Sequence, residues 1–516
     1  MNRRSFLNRT AQVGLAALGV RFTLTASAQE NLIPDGQTKQ MRDKPNVIFI
    51  MADDMGYGDA GCYNADSKIP TPNIDRLARQ GQLFTDAHSP SAVCSPTRYG
   101  LLTGRYAWRT RLKSHVLSNF CRPLIEPERL TLGGLFKENG YNTACIGKWH
   151  LGLGWQTING KEVPLNRWKV QNIVHYGVNV DFRKELTDCP LDHGFDYFFG
   201  GPGNYQAPPY CFIENRHTVG IPKMIKQELE PAPMVPGPVT EDWKDDQIGS
   251  VLADKALNVI DKYSKSKSPF FLYFPLHAPH RPCVPSDSVK GKSKAGRRGD
   301  MIVEIDNTVG RIMQKLNELG IEKDTILIFT SDNGGDNAPY QEPVSYLDKY
   351  GHDPNRPWKG SKAQIAEGGH RVPFIVSWPG KVAADKVNSS PVVLTDMLAS
   401  FAALLGYELG KDAGPDSHNV QENLFGQKED DGSERVMIFH SVFGRFAIRR
   451  GKWKLVLPNP PLLHANERRP GWGMPTEEDP ELFNLAIDPQ EKNDLANEYP
   501  EIVKELQSLL QRIIKS

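Results

Sequence analysis

The strongest constraint on the fold of this chain is a series of short apolar runs, each of which ends in polar or charged residues. The first run, residues 46–51, is rich in β-branched and other apolar residues, as expected for a strand buried on both faces of a parallel sheet. Helical patterns lie between the runs, such as residues 300–320, where apolar side chains recur at spacings of three and four. We therefore predict an α/β fold with a large, mainly parallel sheet flanked by helices. The runs predicted to be strands cover residues 46–51, 141–146, 269–274, 325–330 and 374–378.

Carboxylate and amide side chains follow two of these runs. Asp53 and Asp54 come after the first run, and Asp332 and Asn333 come after the fourth. Adjacent carboxylates at the end of a buried strand are costly unless they bind a positive group, and such oxygen ligands suit Ca²⁺ or Mg²⁺. A solvated acidic turn is the alternative for the first pair. Because ligand sites in open α/β sheets lie beyond the carboxyl ends of the strands, we expect one site at that edge.

Basic side chains follow the second and third runs. Lys148 and His150 flank Trp149, and alternate residues of an extended segment share a face. His277 and His280 follow the third run, and histidines at a strand end favour acid–base chemistry. Taken alone, each pair is also compatible with an ordinary surface or core position.

The segment Cys94-Ser95-Pro96-Thr97-Arg98 reads as a loop that enters a helix. Ser95 suits the capping position and Pro96 suits the first helical position, which would place Cys94 just outside the helix. Backbone N–H groups at a helix N-terminus favour an anion, and Arg98 adds a planar cation one turn later. A buried structural cysteine is the alternative, because free cysteines are often part of the core.

Taken together, these motifs resemble those of the type I, formylglycine-dependent sulfatases, which are arylsulfatase-like members of the alkaline phosphatase superfamily. The resemblance rests on C-S-P-T-R followed by L-T-G-R at residues 102–105, and on G-K-W-H-L-G at residues 147–152. It extends from about Pro45 to the C-terminus. It implies the alkaline-phosphatase-like sulfatase fold, with a small C-terminal subdomain made of an antiparallel sheet and a packed helix.

The resemblance also implies a nucleophile and a metal. In that family a maturation enzyme oxidises the cysteine, here Cys94, to Cα-formylglycine, and the hydrated aldehyde attacks sulfur. Arg98 and Lys148 would hold this nucleophile, and His150 would remove the proton that lets sulfate leave. The metal, Ca²⁺ with Mg²⁺ as the alternative, would be held by Asp53, Asp54, Asp332 and Asn333.

Two further residues would bind the sulfate group. The family has a lysine five residues before E-G-G, which corresponds here to Lys362, although Lys359 lies only three residues away. His280, in H-A-P-H, would bind sulfate and act as the acid for the leaving oxygen. His277 has no assigned role beyond support.

These expectations define a hydrolase of sulfate esters, with sulfated polysaccharides or their oligosaccharides as the implied substrates. Two alternatives stay open. A phosphomonoester or phosphonate hydrolase could use the same scaffold, because phosphate is also a tetrahedral oxyanion. A catalytically inactive protein that binds sulfated glycans would retain the fold, although every expected catalytic position is filled. The sequence does not indicate the sulfate position, exo or endo action, the oligomeric state or disulfide pairing.

The N-terminus predicts export. Arg3 and Arg4, followed by Phe-Leu, match a twin-arginine signal, and the apolar stretch of residues 11–20 is too short to span a membrane. Cleavage after Ala28 would leave a periplasmic or secreted protein. The chain has 62 basic and 61 acidic residues, so its net charge of +1 gives no reason to expect a nucleic-acid partner.

We predict four segments along the chain. A signal peptide at residues 1–28 and a polar linker at residues 29–45 precede a catalytic domain at residues 46–430. The C-terminal subdomain, residues 431–516, should contain a hairpin that turns at Arg450-Gly451, followed by a strand near residue 481 and a terminal amphipathic helix.

Overall fold

All five apolar runs form strands of one large sheet. The predicted signal peptide, the predicted linker up to residue 43 and the predicted boundary at residues 430 and 431 lie outside the described residues. The computed structural model describes residues 44–163, 165, 177–227, 234–337, 345–426, 432, 435–458 and 479–516.

The order of the strands confirms a large and mainly parallel central sheet. The sheet runs β13-β2-β12-β11-β1-β10-β4-β5-β6-β7, and β11, β1, β10, β4 and β5 are parallel neighbours. The fifth run, β12, is antiparallel to β11, so the prediction of a parallel sheet is wrong for this run, and its end lies at the opposite edge from the ends of β1 and β11. The strands are β1 (Asn46–Asp53), β2 (Gln82–Phe84), β3 (Ala87–His88), β4 (Asn142–Lys148), β5 (Tyr197–Gly201), β6 (Ile213–Glu214), β7 (His217–Thr218), β8 (Met224–Lys226), β9 (Gly237–Val239), β10 (Phe270–Pro279), β11 (Thr325–Ser331), β12 (Phe374–Ser377), β13 (Lys386–Asn388), β14 (Val392–Val393), β15 (Val436–His440), β16 (Phe446–Arg450), β17 (Trp453–Val456) and β18 (Glu481–Asn484).

Helices cover both faces of this sheet, which explains the continuous apolar runs. Alternate residues of β1 belong to two different cores: Val47 and Phe49 pack on one face, and Ile48 and Ile50 pack on the other. The long helix begins at residue 296, four residues before the predicted start, because the Asp300 carboxylate instead accepts two backbone N–H groups of the preceding loop. The helices described over their full length are Pro72–Gln80, Cys94–Thr103, Leu132–Glu138, Ile248–Ser264, Gly296–Glu318, Tyr346–Tyr350, Glu367–His370, Met397–Leu405, Gln421–Leu424 and Pro500–Lys515. None of the described helices is both long and apolar enough to cross a bilayer.

The last part of the chain forms a small antiparallel sheet, as predicted. It has the order β15-β16-β17-β18, and the hairpin between β16 and β17 closes at the pair Arg450 and Trp453. The terminal helix Pro500–Lys515 packs on this sheet through Leu506 and Leu510, which share a core with β16 and β17.

A buried charged cluster joins this small sheet to the helix Glu367–His370 and to β3. The Lys454 ammonium lies 2.9 Å from Glu367 Oε1, 2.8 Å from Glu491 Oε1 and 3.0 Å from His370 Nε2. Since lysine only donates, His370 Nε2 accepts, and its Nδ1–H faces His88 Nδ1 at 3.0 Å. Burial lowers the pKa of both histidines, in keeping with neutral rings that share this hydrogen bond. The sequence motifs gave no indication of this cluster.

Candidate active site

The carboxyl ends of three parallel strands place the predicted ligands together. Asp53 is the last residue of β1, Lys148 is the last residue of β4, and Asp332 and Asn333 follow β11 directly. Lys148 Nζ lies 2.6 Å from Asp53 Oδ2, and the backbone N–H of Asp54 donates to Asp332 Oδ1 at 3.1 Å. The expected convergence at one sheet edge is therefore present.

The helix that carries the C-S-P-T-R segment begins two residues earlier than predicted, so Cys94 lies within it and not just outside it. Cys94 is its first residue, and the preceding Val93 has extended backbone. The Ser95 hydroxyl does not cap the helix; instead it accepts the backbone N–H of Leu117 at 3.2 Å. Helix ends are defined to within one or two residues, so Cys94 still lies at the N-terminal turn, where backbone N–H groups face the site.

Arg98 ties this helix to the strand ends. Its guanidinium donates to Asp332 Oδ2 at 2.6 Å and to the Lys148 carbonyl at 2.9 Å, and it lies 3.6 Å from Asp53 Oδ1. The side chain is fully buried. A planar cation with several acceptors is held rigidly, which fixes the helix that carries Cys94 against the carboxylates.

Four groups are close enough to share one metal ion. Ligand atoms of Asp53, Asp54, Cys94 and His280 all lie within 4.8 Å of one another. Asn333 donates its amide N–H to Asp54 Oδ1 at 2.8 Å, and burial raises the pKa of Asp53. Asp53 Oδ1 and Asn333 Oδ1 are buried and accept no hydrogen bond from any described residue. Buried, unsatisfied oxygen atoms beside clustered carboxylates fit a hard divalent cation.

The structure separates the two candidate lysines. Lys362 Nζ lies 2.6 Å from Asp54 Oδ2, inside the site. Lys359 Nζ donates instead to the backbone carbonyl of Glu491 at 2.9 Å and lies over the Phe483 ring, on the side of the small sheet. Lys362 is therefore the lysine that faces the metal-type ligands.

His150 is placed as a neutral base. Its Nε2 lies 2.8 Å from the Leu117 carbonyl, and a carbonyl only accepts, so Nε2 carries the proton and Nδ1 keeps its lone pair. Nδ1 is buried and has no hydrogen-bond partner among the described residues. Burial, together with Lys148 and Arg98, lowers the pKa of His150 well below its usual range.

The two histidines of H-A-P-H differ in position. His280 Nδ1 donates to the Arg281 carbonyl at 2.7 Å, which directs Nε2 toward Asp54 Oδ2 at 3.8 Å. His277 lies within β10 and contacts the Tyr205 ring edge-on at 5.5 Å, and burial lowers its pKa to about 3. The structure thus places His280 at the ligand cluster and His277 in a neutral packing position.

A narrow cavity of about 80 Å³ opens onto this cluster and includes Cys94, His280 and Lys362 in its lining. Burial raises the pKa of the Cys94 thiol to about 12, and nearby Lys148 and Lys362 oppose that rise. The unmodified thiol is therefore protonated at neutral pH and is a poor nucleophile.

Sequence reasoning missed the polar residues of the pocket wall. Asn204 accepts from Lys148 Nζ at 2.6 Å, and it follows the end of β5, so the strand-end pattern that revealed the metal-type residues also applied to it. Asn119 and Gln206 line the same cavity from irregular loops, where no periodic pattern marks them.

The fold and the site together define a class: an α/β protein whose sheet edge carries a pocket between basic side chains and a cluster of metal-type ligands. Residues 45–407 match the family model described as Sulfatase. The chain is 34% identical over 531 aligned residues to N-acetylgalactosamine-6-O-sulfatase of Bacteroides thetaiotaomicron, covering 95% of this chain and 96% of that relative. It is 30% identical over 499 aligned residues to human arylsulfatase A, covering 90% of this chain and 87% of that relative.

A solved structure supports the same family. It belongs to work on the metabolism of multiple glycosaminoglycans by Bacteroides thetaiotaomicron, and it matches 92% of this chain and 100% of its own with a TM-score of 0.79 and 33% identity. The chain belongs to the sulfatase family and is a sulfuric ester hydrolase. The resemblance inferred from the sequence motifs is therefore confirmed.

Proposed function

We propose that this sulfatase removes sulfate from sulfated carbohydrates, and that the 6-sulfate of N-acetylgalactosamine is its preferred group. The observation that carries this proposal is the 34% identity to a bacterial N-acetylgalactosamine-6-O-sulfatase along 95% of the chain. The aligned region spans 95% of the chain and so extends over the loops that line the pocket, where specificity resides.

The proposed nucleophile is residue 94 in its formylglycine form. A hydrated formylglycine supplies a hydroxyl group for attack on sulfur and a second hydroxyl whose deprotonation releases sulfate. Arg98 and Lys148, which are tied to the strand ends by buried ion pairs, would keep this residue aligned. The lone pair of His150 Nδ1 would accept the proton, because Nε2 is already committed to the Leu117 carbonyl.

The proposed metal is Ca²⁺, with Mg²⁺ as the alternative. Asp53, Asp54, Asp332 and Asn333 would hold it, and the ion would offset negative charge on the sulfate group. Three carboxylates already face three permanent cations in this site, namely Arg98, Lys148 and Lys362. A bound divalent cation would therefore leave a net positive site, which complements an anionic ester.

Sulfate recognition and leaving-group protonation are assigned to two residues. Lys362 would contact a sulfate oxygen from the side of Asp54. His280 would face the leaving oxygen with Nε2, since its Nδ1–H is held by the Arg281 carbonyl. Burial, together with Lys362, Lys148 and Arg281, lowers the pKa of His280 well below its usual range. Proton donation from Nε2 therefore requires that the arriving anionic ester shift the equilibrium back toward the imidazolium form.

A panel of defined sulfated sugars tests the substrate. For the matured enzyme, we expect kcat/KM for N-acetylgalactosamine 6-sulfate to be at least roughly 100-fold higher than kcat/KM for the 4-sulfate isomer. The reason is that a sulfate group at position 4 would not lie against the side chains that bind and attack the 6-sulfate. Ion chromatography of free sulfate gives the rates. Equal rates on both isomers would remove the 6-sulfate assignment.

Matched 4-nitrophenyl sulfate and 4-nitrophenyl phosphate serve as controls in the same assay. Faster cleavage of the phosphate ester would favour the phosphohydrolase alternative. Binding of sulfated sugars without turnover, by a preparation shown to be matured, would favour a catalytically inactive glycan-binding protein.

We also propose export by the twin-arginine route to the periplasm or the medium. All seven cysteines lie in the described part and none forms a disulfide, as expected for a protein that folds in a reducing compartment before export. Replacing Arg3 and Arg4 together by lysine is expected to leave uncleaved precursor in the cytoplasm, measured by fractionation and immunoblotting. Unchanged export of that variant would contradict this route.

A further inference from the structure

A second and larger cavity lies beside the active-site pocket. Its volume is about 1100 Å³, and its lining contains five basic side chains and one acidic side chain, Asp412, together with the last residue, Ser516. We call it the basic groove. The basic residues are Arg105, Arg109, Lys113, Arg129 and Lys515.

The basic groove and the active-site pocket share a wall. His115 and Val442 line the pocket, whereas Lys113 and Phe443, their close neighbours in the chain, line the groove. The rings of His115 and Phe443 meet edge-on with centroids 5.4 Å apart. This ring pair therefore separates the two cavities, and a ligand that occupied both would have to lie across it.

The charge of the groove is local and is not a property of the whole chain. The chain as a whole has 62 basic and 61 acidic residues, whereas five basic side chains and one acidic side chain line the groove, and two further carboxylates, Glu126 and Asp416, pair with its arginines. Arg105 and Arg129 share one carboxylate, Glu126, at 3.0 and 3.6 Å, and Arg109 pairs with Asp416 at 2.9 Å. Two carboxylates therefore hold three guanidinium groups in place, which leaves one positive charge in excess among these five side chains.

The two lysines complete the positive side of the groove. Lys113 and Lys515 are both exposed, and no carboxylate side chain of the described residues lies within 4.0 Å of either ammonium group. Lys113 Nζ donates a hydrogen bond to the Trp108 carbonyl, which keeps the ammonium group near the groove. These two cations are available to an anionic ligand.

We propose that the basic groove binds the anionic sugars adjoining the one whose sulfate occupies the pocket, in a chain that carries sulfate or carboxylate groups on successive residues. This inference rests on the proposed function and deepens it from a sulfated sugar to an acidic oligosaccharide. A substrate of this kind brings several negative charges, and a protein of net charge +1 attracts them only through a local basic surface.

The experiment compares a Lys113→Glu/Lys515→Glu double variant with the wild type on three substrates. These are 4-nitrophenyl sulfate, a sulfated disaccharide, and a hexasaccharide of the same repeating unit. The variant is expected to raise KM for the hexasaccharide by about tenfold or more, because two attractive charges become repulsive. Hydrolysis of 4-nitrophenyl sulfate should stay unchanged, which also reports an intact fold and site.

A Lys267→Glu/Lys381→Glu variant is the matched control. Lys267 precedes the start of β10, and Lys381 follows the end of the antiparallel β12, so both lie at the sheet edge opposite the site. This variant changes net charge equally and is expected to keep the KM of the wild type. Raising the ionic strength should also increase the hexasaccharide KM of the wild type more than that of the double variant.

Two outcomes separate this inference from the proposed function. An unchanged hexasaccharide KM in the Lys113→Glu/Lys515→Glu variant overturns the groove while leaving sulfate ester hydrolysis intact. Failure of the wild type to cleave any of the three sulfate esters overturns the proposed function itself.

Discussion

Replacement of Cys94 by alanine is expected to lower sulfate ester hydrolysis by roughly 10⁴-fold or more, because it removes the side chain from which the proposed nucleophile forms. The side chain is buried and small, so the variant should retain the fold and the metal. A thiol that attacked sulfur would form an adduct from which sulfate is not readily released. In a hydrated aldehyde, deprotonation of the second hydroxyl group expels sulfate and restores the aldehyde. We therefore expect mass spectrometry to show a peptide containing residue 94 that is lighter by the difference between a thiol and an aldehyde.

Two further variants sharpen this test. Cys211→Ala makes the same change at another buried cysteine outside the site and should leave the rate near that of the wild type. Cys94→Ser should be nearly inactive in a host that matures only cysteine. Full activity in a preparation whose Cys94 is shown to be unmodified would rule out the proposed nucleophile.

Removal of the divalent cation is expected to abolish activity, and Ca²⁺ or Mg²⁺ should restore it. Without the ion, no divalent positive charge offsets the negative charges of the clustered carboxylates and of the anionic ester. We therefore expect the rate of hydrolysis to fall by several orders of magnitude. Activity would be measured after chelation and during titration with each metal, with metal content determined by elemental analysis. The metal that restores activity at the lower concentration identifies the native ion.

Asn333→Ala tests the ligand set without disturbing an ion pair. Its Oδ1 accepts no hydrogen bond from the described residues, and the change removes no charged side chain, although it also removes the amide N–H that Asn333 donates to Asp54 Oδ1. We expect the metal concentration for half-maximal activity to rise by at least about tenfold. Asn204→Ala, which removes an amide that contacts Lys148, should leave metal affinity unchanged. Full activity in a demonstrably metal-free preparation would exclude this site.

The sequence predicted the large sheet and the convergence of the site because both depend on local signals. An apolar run that ends in a carboxylate specifies a buried strand and a ligand at its end without reference to distant residues. Asp53, Asp332 and Lys148 were found in this way, and the structure brings them into direct contact with one another or with Arg98. Family motifs identified Lys362, and the structure distinguishes it from Lys359.

What the sequence did not predict depends on how the chain folds back on itself. The antiparallel direction of β12 follows from the path of the loop before it, which has no local pattern. Asn119 and Gln206 reach the pocket wall from irregular loops. The hydrogen bond between His88 and His370 joins residues 282 positions apart, so neither residue carries a signal for the other.

The buried cluster around Lys454 makes the stability of the catalytic domain depend in part on the small sheet. Glu367 is buried against Arg371 and Lys454, and Asp86 is buried against Arg371 and Arg449, so each carboxylate takes one of its two cations from the small sheet. A chain without β16 and β17 would bury each carboxylate with one cation fewer, at a cost in free energy. Lys454 also donates to the backbone carbonyl of Ile365, three residues after Lys362, so the same loss would leave this loop without one of its supports.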